Sequence, residues 1–338
     1  TIIWGSSVSN LNKLLIANRG EIAIRITRAA QELGLTAVAI YPEDDAQSLH
    51  VRLADEAILL QGRGASAYLD IAQIVQLAKD AGCDGVHPGY GFLSENANFA
   101  AAVEAANMTF IGPSVAALDA FGDKAKARAL AQACDVPVVA GLSEAISIEQ
   151  AQAFFAAHAD SGILLKAIAG GGGRGMRIVR SADELVDAFT RCQSEALAAF
   201  GNDGLYAEQL VASPRHIEVQ IIGDGSGAVS HIWERECSLQ RRHQKLVEIA
   251  PSPTLDPAIR DAMCAAAVRL GQEINYAGLG TIEFLLDTNA NEFFFIEANA
   301  RLQVEHTVTE EVTGIDLVRA QIEVAGGASL NDLGLQQA

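Results

Sequence analysis

Two hydrophobic periods alternate along the first 113 residues. Lys13 to Asn18 is a nearly unbroken apolar run, the pattern of a buried strand. Ile22, Ile26, Ala29, Ala30 and Leu33 then recur at helical spacing. Thr36 to Tyr41 predicts a second strand, Leu69 to Ala81 a helix and Gly85 to His87 a short strand. Asn96 to Asn107 predicts another helix and Met108 to Ile111 another strand, closed by the turn residues Gly112-Pro113. Strands and helices that alternate at this spacing predict a parallel sheet covered by helices. Residues 114–140 predict a helical linker, in which Asp123 to Cys134 is alanine-rich and carries Lys124 and Lys126.

A small α+β unit is expected over 141–211. Ser147 with Gln150, and Ser181 with Glu184, have the spacing of capping boxes that open helices. Between them lie two β-like runs, Ile163 to Ala167 and Met176 to Val179, and Leu205 to Leu210 ends the unit. From 212 onward the pattern turns antiparallel. His216 to Ile221 alternates polar and apolar residues, which predicts a half-buried strand. Gly223 to Gly227 is the turn and Ala228 to Glu234 the return. Asp256-Pro257 starts a helix. Thr281 to Leu286 and Glu292 to Glu297 predict a hairpin around Asp287 to Asn291.

The two runs at 163–167 and 176–179 flank five glycines in the six positions 170–175. Glycine lets backbone N–H groups turn toward an anion. Gly170, Gly172 and Gly175 match the dinucleotide spacing, but that motif needs a helix directly after the turn, and a strand follows. A P-loop needs Lys-Ser/Thr after the glycines, and none is present. A mobile glycine lid over nucleotide phosphates remains, with Lys166 beneath it. A plain surface hairpin is the competing reading.

Charge narrows the partners. A net charge of −18 argues against nucleic-acid binding. No apolar run is long enough to span a bilayer, and Thr1 to Leu11 is not a signal peptide. Cys83, Cys134, Cys192, Cys237 and Cys264 are scattered, as expected of reduced, mostly buried thiols in a cytosolic protein. His231, Cys237 and His243 fit no usual zinc spacing.

Glu283 and Glu297 sit on the predicted hairpin, with Asn299 just beyond, and the apolar residues around them predict burial. Such oxygen donors suit Mg²⁺ at a phosphate site. Asn299, Arg301, Gln303, Glu305 and His306 form a polar cluster interleaved with Leu302 and Val304. An extended segment would bring the odd-numbered ones to one face. An arginine beside a carboxylate base suits a small oxyanion such as bicarbonate. Gln240 to Lys245 packs four potential cations into six residues, either a solvated face or a counter-charge for an anionic reactant.

These segments together resemble the biotin carboxylase family, a branch of the ATP-grasp ligases. The matching blocks run in order through Ile16 to Ala23, His87 to Asn96, Gly122-Asp123-Lys124, Gly170 to Met176, Pro214-Arg215-His216, Glu236 to Lys245 and Glu297 to His306. The last two separate this branch from other ATP-grasp enzymes. The resemblance implies an α/β protein: a parallel, doubly wound pre-ATP-grasp domain (1–113), then the linker, then an ATP-grasp fold with a lid subdomain (141–211) and a C-terminal subdomain (212–338) that is incomplete at its end. It implies an ATP-dependent ligase that forms carboxyphosphate from ATP and bicarbonate and carboxylates N1′ of biotin on a carrier. By motif position, Lys124, Lys166 and His216 contact nucleotide phosphates or ribose, and Gly171, Gly172 and Gly173 cover them. Glu208 and Val211 lie at the adenine edge, with Met176, Gln240, His243 and Leu285 around the nucleotide. Glu283, Glu297 and Asn299 serve two Mg²⁺ (or Mn²⁺) ions. Lys245, Arg301, Gln303 and the Val304 backbone hold bicarbonate, and Glu305 is the general base.

The implied partners are a biotin carboxyl carrier domain or protein, a carboxyltransferase component that selects the acyl acceptor, and further copies of the full-length chain in a homo-oligomer. The implied location is the cytoplasm, or an organelle matrix in a eukaryote. Ala300 departs from the Thr or Pro of many relatives without touching the chemistry. The family's domain continues past Ala338, so the chain is expected to be a fragment with an unpaired sheet edge and poor turnover. A carbamoyl phosphate synthase and a non-catalytic nucleotide-binding module are the competing functions.

Overall fold

The computed structural model describes residues 11–142, 144–168, 175–212, 214–241 and 244–337. Residues 169–174, with Gly171, Gly172 and Gly173 among them, and residues 242–243, which include His243, lie outside the described residues.

Strands β1 (Lys13–Ile16), β2 (Thr36–Tyr41), β3 (Glu56–Leu59), β4 (Gly85–His87) and β5 (Thr109–Phe110) form an all-parallel sheet in the order β3-β2-β1-β4-β5. Period-2 alternation divides β1 between two cores. Leu14 and Ile16 pack with Ile22 and Ile26 of the helix Gly20–Glu32. Leu15 packs with Ile74 and Phe99 of the helices Ile71–Asp80 and Ala97–Ala105. The strand pattern did not reveal β3, a short edge strand that exposes Glu56, Ala57 and Leu59. Helices Val115–Gly122 and Lys124–Ala133 follow, and the Asp123 carboxylate accepts from the N–H groups of Ala125 and Lys126 to start the second.

Strands β6 (Gly141–Leu142), β7 (Ile163–Ala167), β8 (Met176–Val179) and β9 (Leu205–Gln209) form an antiparallel sheet in the order β6-β9-β7-β8. The glycine run therefore connects two paired strands, with Lys166 opposite Met176. Both capping boxes are formed, at Ser147 and Ser181.

Strands β10 (Arg215–Asp224), β11 (Val229–Arg241), β12 (Gln244–Ile249), β13 (Ala277–Asp287) and β14 (Glu292–Asn299) form a second antiparallel sheet in the order β12-β11-β10-β13-β14. Helix Pro257–Glu273 covers the face of β10 that carries Ile217, Val219 and Ile221.

Two expectations fail here. The strand β10 is not half-buried: Glu218 and Gln220 on its polar face are fully buried. The chain beyond β14 returns over that face, where Leu302, Leu317 and Val318 pack with Ile222 and Leu279. Nor is Asn299 to His306 an extended edge strand. The strand ends at Asn299, and Glu305 occupies the N-cap position of the helix His306–Thr313, its carboxylate turned to Lys245. Burial of Leu302 in that core bends the segment, and Val304 is left exposed.

All five cysteines are free, four of them buried. Among the described residues no helix is long and apolar enough to cross a membrane.

Gly223 on β10 tests the packing at one atom. A Cβ there would lie 2.1 Å from the Tyr276 carbonyl oxygen, which is backbone and cannot rotate away. Gly223→Ala should cost about 1–3 kcal/mol, the usual range for overpacking. Chemical denaturation reads this directly, and an unchanged midpoint would contradict the packing.

Candidate active site

Register places Glu218 of β10, Glu283 of β13 and Glu297 of β14 in one row across three strands. Like charges at opposed cross-strand positions repel, so the row needs counter-charges. Lys245, on β12, supplies the main one. Its Nζ donates to Glu218 Oε2 at 2.6 Å, to Glu283 Oε1 at 3.0 Å and to Glu305 Oε1 at 2.7 Å. His216 Nε2 lies 2.6 Å from Glu283 Oε2, and Gln240 Nε2 lies 2.9 Å from the other ring nitrogen. Asn299 Nδ2 and Gln303 Nε2 also donate to Glu283 Oε1, at 2.8 and 3.2 Å. Arg301 donates from Nη2 to Asn299 Oδ1 at 2.9 Å and from Nε to Glu95 Oε2 at 2.8 Å. That last pair ties the site to the loop after β4.

The charges polarise the row. Burial pushes the Glu283 carboxyl up, but His216 and Lys245 outweigh it and hold the group well below the usual carboxylate range. Burial opposes the charge on Lys245, and Glu283, Glu218 and Glu305 override that and keep it protonated. Burial of Glu305 is outweighed by Lys245, which holds its carboxyl down. Burial lowers the His216 pKa, and Glu283 more than restores it. Glu297 goes the other way. Burial and the charge of Glu283 raise it, and Lys124, His216 and Lys166 offset them only in part. One carboxylate of the row is thus kept charged and its neighbour is driven toward protonation, the electrostatic condition of a seat for a further cation.

The row opens into a cleft of about 670 Å³ between the two antiparallel sheets. Lys124, Lys166, Met176, Glu208, His216, Gln240, Lys245, Glu283, Leu285, Glu297, Asn299, Arg301, Gln303, Val304 and Glu305 all line it. An adjoining cavity of about 700 Å³ shares Leu164, Lys166, Met176, Glu208 and Leu285 and extends to Val211. The apolar wall of Leu164, Met176 and Leu285 faces a cationic one. Lys166 on β7 is ion-paired with Glu208 on β9, and Arg128 Nη1 reaches the same carboxylate at 3.2 Å.

Residues 10–118 match the family profile "Biotin carboxylase, N-terminal domain", and residues 123–333 match "Carbamoyl-phosphate synthase L chain, ATP binding domain". Biotin carboxylase from Campylobacter jejuni, solved as a complex with a βγ-ATP ligand, superposes with a TM-score of 0.91 at 45% identity, over 96% of this chain and 73% of that one. The chain belongs to the biotin carboxylase family. The biotin carboxylase domain of 2-oxoglutarate carboxylase from Hydrogenobacter thermophilus, a complex with MgADP, ADP and bicarbonate, gives 0.89 at 44% identity, over 95% and 70%. Mitochondrial pyruvate carboxylase from Rattus norvegicus is 53% identical over 97% of this chain, and that of Bacillus subtilis 52% over 96%. This biotin carboxylase family chain spans 28% of the length of each.

Four residues at the site were not singled out from sequence. Glu218, a member of the row, and Arg235, bonded to it, are fully buried, Arg128 holds Glu208, and Glu95 holds Arg301. Glu218 sat in an alternating strand, where a polar residue reads as solvent-facing. Glu95 lay inside the His87 to Asn96 block, but its partner is 206 residues away.

Glu297 yields a stability prediction with a definite sign. Its folded pKa lies above the unfolded value, so ionising it in the folded state is penalised. The Glu297 contribution to stability therefore falls as pH rises through and beyond the glutamate range, and Glu297→Gln removes that contribution alone. In buffer free of divalent cations the variant should melt higher than wild type at pH 8, and the difference should vanish near pH 4. A variant that melts lower at pH 8 would contradict the assignment.

Proposed function

We propose that this chain catalyses the ATP- and bicarbonate-dependent carboxylation of biotin N1′ on a carrier, the first half-reaction of a biotin-dependent carboxylase. The observation that carries this reading is Lys245 held among Glu218, Glu283 and Glu305, beside Gln303 and Arg301, at the carboxylate end of a nucleotide-sized cleft. The Campylobacter and Hydrogenobacter relatives, with nucleotide and with bicarbonate, support the same ligands here.

Lys124, Lys166 and His216 hold the phosphates or ribose, Gly171 to Gly173 cover the phosphates, and Leu285, Met176, Gln240, His243, Glu208 and Val211 surround the rest of the nucleotide. Glu283, Glu297 and Asn299 fit Mg²⁺ or Mn²⁺, because they offer hard oxygen donors and carry the unbalanced charge described above. When bound, that ion neutralises phosphate charge during transfer. Bicarbonate is held by Arg301, Lys245, Gln303 and the Val304 backbone.

Glu305 accepts the proton of bicarbonate at a carboxylate oxygen, and the freed oxygen attacks the γ-phosphorus as ADP leaves. Lys245 sets the strength of this base. While its ammonium touches Glu305, the carboxyl is held low and accepts a proton weakly. An anion that draws Lys245 toward itself removes that contact and raises the basicity of Glu305 as the substrate arrives. Carboxyphosphate then breaks down to CO₂ and phosphate, and N1′ of biotin captures the CO₂ as its N–H proton passes to the released phosphate. The partners on this reading are a biotin carboxyl carrier and a carboxyltransferase, in a homo-oligomer of the full-length protein. The location is the cytoplasm, or the organelle matrix in a eukaryote, as the mitochondrial relative suggests.

Bicarbonate-dependent ATP cleavage stimulated by free biotin would separate this reading from that of a carbamoyl phosphate synthase. In the full-length protein, Glu305→Gln should retain ATP affinity and lose ~10²-fold or more of that cleavage. A Glu305→Gln protein with weakened ATP binding and near-normal turnover at saturation would overturn the role.

A further inference from the structure

Arg235 on β11 is fully buried, and nothing above gives it a task. A guanidinium has five N–H donors in a rigid plane and no acceptor. All five are used here. Nε donates to Glu218 Oε1 at 2.6 Å. Nη1 donates to Gln220 Oε1 at 2.8 Å and to Thr309 Oγ1 at 2.9 Å. Nη2 donates to Gln303 Oε1 at 2.9 Å and to Thr281 Oγ1 at 3.4 Å.

Three of these contacts lead to the residues that surround Lys245. Glu218 takes Arg235 on one oxygen and Lys245 on the other, so Arg235 fixes the carboxylate that anchors the ammonium. Gln303 must present its oxygen to Arg235, because arginine only donates. Its Nε2 is thereby turned to the site, where it lies 3.2 Å from Glu283 Oε1. Thr309 belongs to the helix His306–Thr313, whose N-cap is Glu305. One planar group therefore sets the position of Lys245, the amide orientation of Gln303 and the seating of the helix that begins at Glu305.

We propose that Arg235 is a positioning residue for the bicarbonate subsite: it touches no substrate and acts through Glu218, Gln303 and Thr309. The inference rests on the biotin carboxylase reading. It predicts a selective defect. The nucleotide end of the cleft, with Lys124, Lys166 and Glu208, has no bond to Arg235, so ATP binding is spared. A role confined to folding would instead affect both substrates together.

The test uses the full-length protein that carries this chain and measures bicarbonate-dependent ATP cleavage. Arg235→Lys keeps the charge and loses the planar five-donor fork. Its KM for bicarbonate should rise about tenfold or more, the effect of losing charge-assisted hydrogen bonds, with the KM for ATP within about twofold of wild type. Thr309→Val removes a single acceptor at near-constant volume and should raise the KM for bicarbonate about threefold, with ATP again spared. If Arg235→Lys fails to fold, Thr309→Val decides. A normal KM for bicarbonate in the folded variants, or equal losses for both substrates, overturns the inference. Absence of bicarbonate-dependent cleavage in the wild type would instead overturn the functional reading, so the two failures are distinct.

Discussion

The ammonium of Lys245 among three carboxylates is the contact on which the rest of the site depends. Glu218 and Glu283 are cross-strand neighbours on β10 and β13, and Glu305 approaches from the turn beyond β14. Without a cation between them, these acids could not all stay ionised in a buried sheet. Lys245 reaches them from β12 at the sheet's edge, with about a fifth of its side chain exposed. It is therefore buried enough for strong electrostatics and open enough to respond to an anion entering the cleft. The same arrangement explains why Glu297, at the far end of the row and beyond the reach of Lys245, is the carboxyl that is driven up.

The architecture follows from that requirement. A row of acids needs a wide antiparallel sheet for its register and a second layer to keep water from the polar face. Helix Pro257–Glu273 covers the apolar face, and the returning chain from Ala300 to Ala325 covers the polar one. The β6–β9 sheet adds Lys166 and, in Leu164 and Met176, most of the apolar wall. The N-terminal unit contributes Glu95, in the loop after β4, which clamps Arg301, and Arg25, which pairs with Glu310 of the helix His306–Thr313.

What could be read in the sequence was local. The β1 and β2 runs, both capping boxes, the strand-loop-strand setting of the glycines and the Glu283–Glu297 hairpin pair all depend on residues close in the chain. What could not be read was set by distant layers. The polar face of β10 is buried because Leu302, Leu317 and Val318 lie over it, which no alternation pattern can express. The bend at Arg301 follows from Leu302 reaching the core, and the role of Glu95 from a partner in another domain. Arg235 sits between Glu234 and Glu236 in a charged triplet that reads as surface, although its guanidinium is enclosed.

The most direct test of the Lys245 cluster is the melting temperature of Lys245→Gln against wild type from pH 5 to pH 8. In the wild type the pKa values of Glu283 and Glu305 are depressed, so their stabilisation is present above the unfolded glutamate value and is lost only as pH falls below it. In the variant the same buried acids lack their cation, their pKa values rise, and ionisation becomes a penalty that grows with pH. The account predicts a gap that is already open at pH 5, where the wild-type stabilisation is in place, and that widens steadily toward pH 8 as the variant's penalty grows. A gap that stays constant across this range would contradict it, because Lys245 would then contribute packing and not charge.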